Sequence, residues 1–266
     1  FLNIQFNCLN HIPMNKSLKL KKSLSITAVL PCRAYSTRLF AKPLQLVGNY
    51  TILELLIKQL KKSKQINEIV LAIAKTSGSD LFIDFAKKHN LKFVVGDEID
   101  VLSRLILGAK KTQADIVFRT TSENPYLYWE GIDNLIQNHI SGKYDLSFYK
   151  NLPIGASYEV INLESLKIAH KFGNTKHKSE YSTLYFFENL NKFLINSVLP
   201  KKSLQFPKIR LTVDTPEDLI VARIIHTSLG NKTNPIKLEK IINFLNSNKK
   251  VLKINSKIGL KYTRYL

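Results

Sequence analysis

Cysteine is scarce in this chain: only Cys8 and Cys32 are present. Two thiols without a neighbouring Cys/His group offer no disulfide framework and no clustered metal site, so a reducing, cytoplasmic compartment is the expectation. No apolar run approaches the ~18 residues that span a bilayer, because Lys, Asn, Asp or Arg interrupts every oily stretch within a few positions. A soluble protein with no membrane partner is therefore expected. Acids are also short: 20 Asp plus Glu stand against 40 Lys plus Arg, a formal charge of +20, which makes a polyanionic partner worth weighing. The excess is spread as pairs, Lys61-Lys62, Lys87-Lys88, Lys110-Lys111 and Lys249-Lys250, each on what reads as the wet side of a helix, the pattern of solvated lysines. A nucleic-acid-binding module is the rival that +20 suggests. Against it, the chain has no aromatic-basic interleaving, no helix-turn-helix cue and no dense basic tail, so no specific nucleic acid is expected.

What is present is an alternation. With 266 residues, 44% of them apolar, the chain can bury a substantial core as one large domain. Residues 1–24 hold four lysines, no acid and no periodic pattern. They read as a leader, disordered or not native, with the start at Met14 or later; an organelle-targeting peptide is the other reading of this acid-free stretch, although it has no Arg. Residues 25–266 read as a single domain. Strands are expected at Ile26–Leu30, Glu68–Ile73, Lys92–Val95 and Asp115–Phe118. Between them, Leu53, Leu56, Ile57 and Leu60, a stretch over 79–89, and Leu102, Leu105, Ile106 and Ala109 fall at helical spacing, with Asp100 placed as an N-cap. Four strand-helix units in a row predict an α/β domain with a largely parallel sheet and right-handed crossovers.

The second half is less regular. Strands are expected at Asp145–Phe148 and Tyr158–Ile161, and a Phe/Tyr-rich helix over about 179–190, which together suggest a smaller subregion at 144–205. A strand at Arg210–Val213 then resumes the core. Thr215-Pro216-Glu217-Asp218 is a strong helix start, with a hydroxyl at the N-cap, Pro at N1 and acids in the first turn. Ile220, Val221, Ile224 and Ile225 form the expected buried stripe of that helix.

In open α/β sheets, ligands sit outside the carboxyl ends of the strands. After the first strand, Arg33, Ser36, Thr37, Arg38 and Lys42 crowd one loop; after the fourth comes Arg119-Thr-Thr-Ser-Glu-Asn-Pro125; after the late strand comes Asp214. Cations and hydroxyls on one lip, with carboxylates on the others, would hold a polyphosphate and a divalent ion. Plainer readings stand beside this one. Arg33 and Arg38 could be surface arginines, Glu123 a turn residue and Asp214 a capping residue; Glu217 and Asp218 read better as cap and dipole partners than as ligands. Cys32 reads as an ordinary thiol, with no His placed to activate it.

The segments Cys32-Arg33-Ala-Tyr-Ser36-Thr-Arg38-Leu39-Phe-Ala-Lys42, Gly96-Asp-Glu-Ile-Asp-Val-Leu-Ser-Arg104, Ala114-Asp-Ile-Val-Phe-Arg-Thr-Thr121 and Arg210-Leu-Thr-Val-Asp-Thr-Pro-Glu-Asp218 occur in the order found in the cytidylyltransferases of surface-sugar biosynthesis. The chain resembles the acylneuraminate and KDO cytidylyltransferases, and most closely the spore-coat polysaccharide branch. The resemblance implies a three-layer α/β/α nucleotidyltransferase fold, glycosyltransferase-A-like and Rossmann-like, with a mainly parallel mixed sheet. It implies transfer of CMP from CTP to a sugar, with pyrophosphate released and Mg²⁺ as cofactor; another nucleotide or a sugar phosphate acceptor stays open on the same fold. Arg33 and Lys42 would be catalytic. Arg33, Ser36, Arg38, Lys42 and Thr121 would bind the nucleotide, and Glu123 and Asp214 the metal. Glu159, His177, Lys178 and Glu180 would meet the sugar, the 144–205 subregion serving sugar binding and homodimer formation. His177 and Lys178 can equally be a solvated loop, and Arg104 either a nucleotide contact or an ordinary helix residue. Three departures bear on activity: Tyr35 precedes the motif serine where Gly is usual, Leu-Pro-Gly-Lys is Leu39-Phe40-Ala41-Lys42, and the Asp of Thr-Gly-Asp-x-Pro is Glu123. These leave a weakly active or divergent member as the alternative.

Overall fold

The computed structural model describes residues 24–230 and 234–258. The leader expectation, with Cys8 and Met14, therefore lies outside the described residues except for Leu24. At the centre is β1 (Ile26–Cys32), flanked in parallel by β4 (Glu68–Ala74) and β6 (Ile116–Arg119), with Val29 opposite Val70 on one side and Arg119 on the other. Its residues divide by parity. Ala28, Leu30 and Cys32 enter one hydrophobic core and Val29 the other, as the two-residue period of a strand covered on both faces requires.

The full sheet runs β5 (Lys92–Gly96), β4, β1, β6, β8 (Glu159–Asn162), β7 (Leu146–Tyr149), β9 (Ile195–Val198). Only β8 opposes its neighbours. The expected α/β class with a mainly parallel mixed sheet is thus what the chain forms. The strands of the 144–205 stretch are the far half of this same sheet. A separate two-stranded ladder joins β2 (Leu46–Val47) to β3 (Tyr50–Thr51).

Helices cover both faces. One core gathers α1 (Ile52–Leu60), α2 (Ser79–Lys88), α4 (Ile132–Ser141), α8 (Pro216–Leu229) and α9 (Leu238–Ser247); the other gathers α3 (Val101–Lys111), α5 (Leu163–Phe172) and α7 (Leu184–Glu188). Starts follow the expected chemistry. The Asp100 side chain accepts from the Ser103 N–H at the head of α3, and Thr215 forms a capping box with Asp218 at the head of α8. The lysine pairs at 61, 87, 110 and 249 are all exposed.

Three local expectations are corrected. The aromatic helix shrinks to α7, preceded by the single-turn α6 (Thr175–Lys178). Between them Ser182 and Thr183 are fully buried, and Thr183 Oγ1 donates to Glu159 Oε1 at 2.8 Å, a tertiary bond that holds this stretch out of the helix. Arg210–Val213 is buried but makes one bridge, Arg210 with Ile154, instead of a strand. In α8 the buried set is Asp218, Leu219, Val221, Ala222 and Ile225, while Ile220 is exposed.

That bridge is what sets the late segment against the sheet. Ile154 O accepts from the Leu211 and Thr212 N–H groups, and the Val213 N–H donates to Glu123 O at 3.1 Å. Gly155 makes the contact feasible: its φ is +87°, and a Cβ there would come within 2.4 Å of Thr212 N. Gly155→Ala is expected to cost about 2 kcal/mol or more, combining left-handed strain with backbone overlap, read as a lower urea midpoint with an unchanged m-value.

Candidate active site

The loop after β1 is short of glycine and is pulled tight by hydrogen bonds. Ala41 N–H donates to Ala34 O at 2.8 Å, and Ala41 itself adopts φ 44°, ψ 46°. This is the left-handed region that a Cβ disfavours by about 1–2 kcal/mol, at the position where the resembling family usually carries Gly. The strain turns the chain into a 3-10 turn at Lys42–Leu44. Lys42 therefore enters the molecule buried, and it ends on Asp214: Nζ donates to Oδ1 at 2.6 Å. Arg38 Nη2 donates to the same oxygen at 3.2 Å. Ser36 is half-buried, whereas Tyr35 and Phe40 stand 61% and 56% exposed on the loop.

The other oxygen of Asp214 belongs to Arg210, whose Nη2 donates to Oδ2 at 2.8 Å. Arg210 is in turn gripped by Asp218 through Nε at 2.9 Å and Nη2 at 3.1 Å, and Asn255 Nδ2 donates to Asp218 Oδ1. The Asp218 carboxylate further accepts from the Asp214 and Thr215 N–H groups. Asp218 is therefore both cap and anchor for Arg210, two roles compatible with its complete burial.

The third lip follows β6. Thr121 is half-buried, Ser122 Oγ donates to Pro31 O at 2.7 Å, and the Glu123 backbone is bonded to Val213. This puts Glu123 beside Asp214. Burial, and after it the charge of Asp214, push the Glu123 carboxyl above the usual carboxylate range, with Lys42 opposing. For Asp214, burial works upward, but the Lys42 hydrogen bond and charge, then Arg38 and Arg210, outweigh it and hold the carboxyl below its ordinary value. Cys32, beneath this corner, is buried and its thiol is pushed up to about 12 by desolvation, as an inert thiol would be.

Arg33 pairs elsewhere, with its Nη2 3.8 Å from Glu180 Oε2 in an exposed pair. The loop after β1 and the segment after α6 thus meet at this pair. Glu180 joins this lip, but Glu159 is only 1% exposed and spends its oxygens on Arg119 Nη1 at 2.9 Å and on Thr183. The expectation that it accepts from sugar hydroxyls meets a side chain already enclosed. His177 is also buried: Nδ1 accepts from the Asn174 N–H and Nε2 pairs with Glu188 at 2.6 Å. It closes the turn of α6, while Lys178 is half-buried. Arg104 is 2% exposed, and its Nη1 donates to the carbonyls of Asp97 and Glu98, fixing the loop before α3.

Arg119 and Arg210 were not among the expected site residues, although each stands inside a quoted motif. The available signal was compositional: a charged residue ending an otherwise apolar, buried segment needs a partner. Their partners, forty and eight residues away, are set by tertiary pairing.

The sequence profile described as Cytidylyltransferase matches residues 27–258. An uncharacterized protein of Methanocaldococcus jannaschii is 31% identical over 243 residues, covering 91% of this chain and 98% of its own length. The spore coat polysaccharide biosynthesis protein SpsF of Bacillus subtilis is 25% identical over 228 residues, covering 84% and 95%. Among solved structures, a cytidylyltransferase from Leptospira borgpetersenii superposes with a TM-score of 0.79 at 21% identity, covering 90% of this chain and all of that one. A CMP:2-keto-3-deoxy-manno-octonic acid synthetase complexed with CTP gives 0.59 at 14% identity, covering 77% and 99%.

The two acids are expected to respond oppositely to pH. Asp214, with its depressed value, contributes stability above the unfolded Asp pKa of about 3.9 and loses it as pH falls through the folded value. Asp214→Asn should therefore cost about 1–3 kcal/mol at pH 7, a loss that narrows in acid. Glu123 has a raised value, so its stability relative to the unfolded chain is full below about pH 4.3 and falls as pH rises through the folded value. Glu123→Gln should gain on the order of 1 kcal/mol at pH 7 and nothing in acid. Urea midpoints from pH 3 to 8 measure both.

Proposed function

Because the chain belongs to the cytidylyltransferase family, we propose that it transfers CMP from CTP to a sugar, with release of pyrophosphate, in the building of a surface polysaccharide. The observation that carries this reading is the convergence of Arg38 and Lys42 on Asp214, with Glu123 alongside, at the carboxyl ends of β1 and β6. Nucleotidyl transfer needs no protein nucleophile. A sugar oxygen attacks the α-phosphorus in line, the bond to the bridging oxygen breaks, and that oxygen leaves with pyrophosphate.

The roles follow from position. Lys42, largely shielded from water, and Arg38 neutralise charge on the phosphates as it shifts toward the leaving group, and a cation in a dry site acts more strongly than one in water. Arg33 lies at the lip shared with Glu180 and contacts the nucleotide from the acceptor side. The acceptor rests against the 177–183 segment, which the buried Arg119–Glu159 pair and Thr183 hold in shape. Glu180 is exposed and Lys178 half-buried on this segment. A keto-acid sugar, whose carboxylate suits Lys178, is the acceptor class favoured.

Magnesium suits the donor set. Glu123 and Asp214 are two hard oxygen donors, the Glu123 carboxyl raised by burial and then by the Asp214 charge, and Mg²⁺ takes one or two carboxylates, completing its octahedron with water and phosphate oxygens. When bound, the ion would supply charge neutralisation at the transferring phosphate. Arg210 keeps the Asp214 carboxylate oriented for that purpose.

We also place a homodimer contact at the β9 edge, where Leu190, Leu194 and Leu199 are more than half exposed. An open strand edge beside apolar side chains is a surface that a second copy would cover. Leu194→Glu should convert the species seen by light scattering from dimer to monomer; a wild-type monomer would remove this contact.

The activity test is pyrophosphate release with Mg²⁺ and each of CTP, GTP, UTP and ATP, beside keto-acid sugars and sugar phosphates. Release is expected to be fastest with CTP. Lys42→Ala should lower kcat by about a hundredfold or more and Asp214→Asn should abolish turnover, while Glu123→Asp, which restores the family's ligand length, should preserve or raise the rate. No release from any pair by wild type or the Glu123→Asp variant would leave a nucleotide-binding protein without transferase activity.

A further inference from the structure

The two oxygens of Asp214 are held in different ways. Oδ2 is bound by Arg210, buried and itself fixed by two bonds from Asp218. Oδ1 is bound by Lys42 and Arg38, whose side chains reach it from the loop after β1; the Arg38 side chain is 38% exposed. Three cations, Arg38, Lys42 and Arg210, thus face the paired carboxylates of Asp214 and Asp218, with the Glu123 carboxyl beside them, so the cationic charge of this corner is already largely balanced in the free protein.

Resting on the nucleotide reading above, we infer that Asp214 occupies, in the free protein, the place a nucleotide phosphate oxygen takes on Lys42 and Arg38, so that the protein carries its own competitor for bare polyphosphate. Charge balance makes the competition specific. A metal-free triphosphate adds several negative charges beside Glu123 and Asp214 and must displace Asp214 Oδ1 from two cations. A divalent ion alone would have to approach a carboxylate already saturated by Lys42, Arg38 and Arg210. Were the two to enter together, partners could be exchanged: Lys42 and Arg38 would turn to phosphate, and the Asp214 oxygen they release would become available to the ion. Arg210 stays throughout, because Asp218 and Asn255 hold it regardless. Asp214 is then a ligand for the ion and also a gate against uncomplexed nucleotide, and by linkage each ligand must tighten the other by the same factor.

The gate predicts an outcome that a plain metal ligand does not: neutralising Asp214 should improve binding of metal-free anion. Calorimetry in EDTA with CTP, and separately with inorganic pyrophosphate, is expected to show Asp214→Asn binding at least about tenfold tighter than wild type, the scale of one charge-assisted hydrogen bond released. The gain should vanish in the Asp214→Asn/Lys42→Ala double variant, which shows that it runs through Lys42. Wild type needs no mutation for the second measurement, in which CTP should bind at least tenfold tighter with MgCl₂ than in EDTA, a dependence that Asp214→Asn should lose. Equal metal-free affinities in wild type and a folded Asp214→Asn variant would overturn the gate while leaving the nucleotide reading intact, as would a wild type indifferent to MgCl₂. Absence of CTP binding by wild type with and without MgCl₂ would overturn both.

Discussion

The carboxylate of Asp214 is where three distant stretches of chain meet: the loop that follows β1, the segment after β6 and the buried run from Arg210. Each arrives with a charge that would be costly to leave in a half-dry corner by itself. Lys42 is nearly buried, Glu123 is pushed toward its neutral form, and Arg210 lies under the head of α8. Together they neutralise one another, so the site assembles only when all three segments are in place. The Ile154–Arg210 bridge, Gly155 beneath Thr212 and the Val213–Glu123 hydrogen bond are the backbone side of the same constraint.

A second buried charge pair organises the 177–183 segment. Arg119 ends β6 and Glu159 begins β8, so their antiparallel register sets them directly opposite, and the Thr183 hydroxyl and the Glu180 carbonyl extend the network into the 177–183 segment. Such pairs add little net stability compared with an apolar replacement, but losing one partner leaves the other stranded, at a cost of about 3–5 kcal/mol. Their use here is positional. They hold an irregular stretch against a regular sheet, and through Glu180 they bring it to the loop that carries Arg33.

The glycine-poor loop shows how the fold tolerates departures from a family pattern. Ala41 accepts a left-handed conformation because the Ala34 hydrogen bond, the Pro43 turn and the buried Lys42 together outweigh a strain of about 1–2 kcal/mol. Tyr35 and Phe40 do not enter the packed interior and remain on the outer side of the loop. Glu123 reaches the same corner with one more methylene than the family's usual Asp. The longer arm starts from a backbone position set by Val213, so the burden of adjustment falls on its side-chain torsions.

Much was legible from local pattern because it depends on near neighbours. The alternation of β-branched runs with helical stripes gave the class of fold and most strand positions; the Asp100 and Thr215 caps followed from hydrogen-bond chemistry within four residues; and the cationic loop and Glu123 followed from their places after β1 and β6, whereas Asp214 follows a buried segment that only reads as a strand. Where contacts across the sheet prevailed, the local pattern misled. The Phe/Tyr-rich stretch has helical composition, but Thr183 bonds to Glu159 and the helix keeps only five residues. Arg210–Val213 has strand composition, yet one bridge to Ile154 is all it makes. His177 and Glu159 carry groups suited to a sugar and are instead committed to Glu188 and Arg119. The sequence by itself determined the strand-helix alternation from β1 to β6 and the charges that follow those two strands, since periodicity, capping and turn chemistry act over a few residues. Only the tertiary structure decided which charge meets which, because the partners of Arg210, Arg119 and Lys42 are selected by burial and register across segments that lie as far as 172 residues apart.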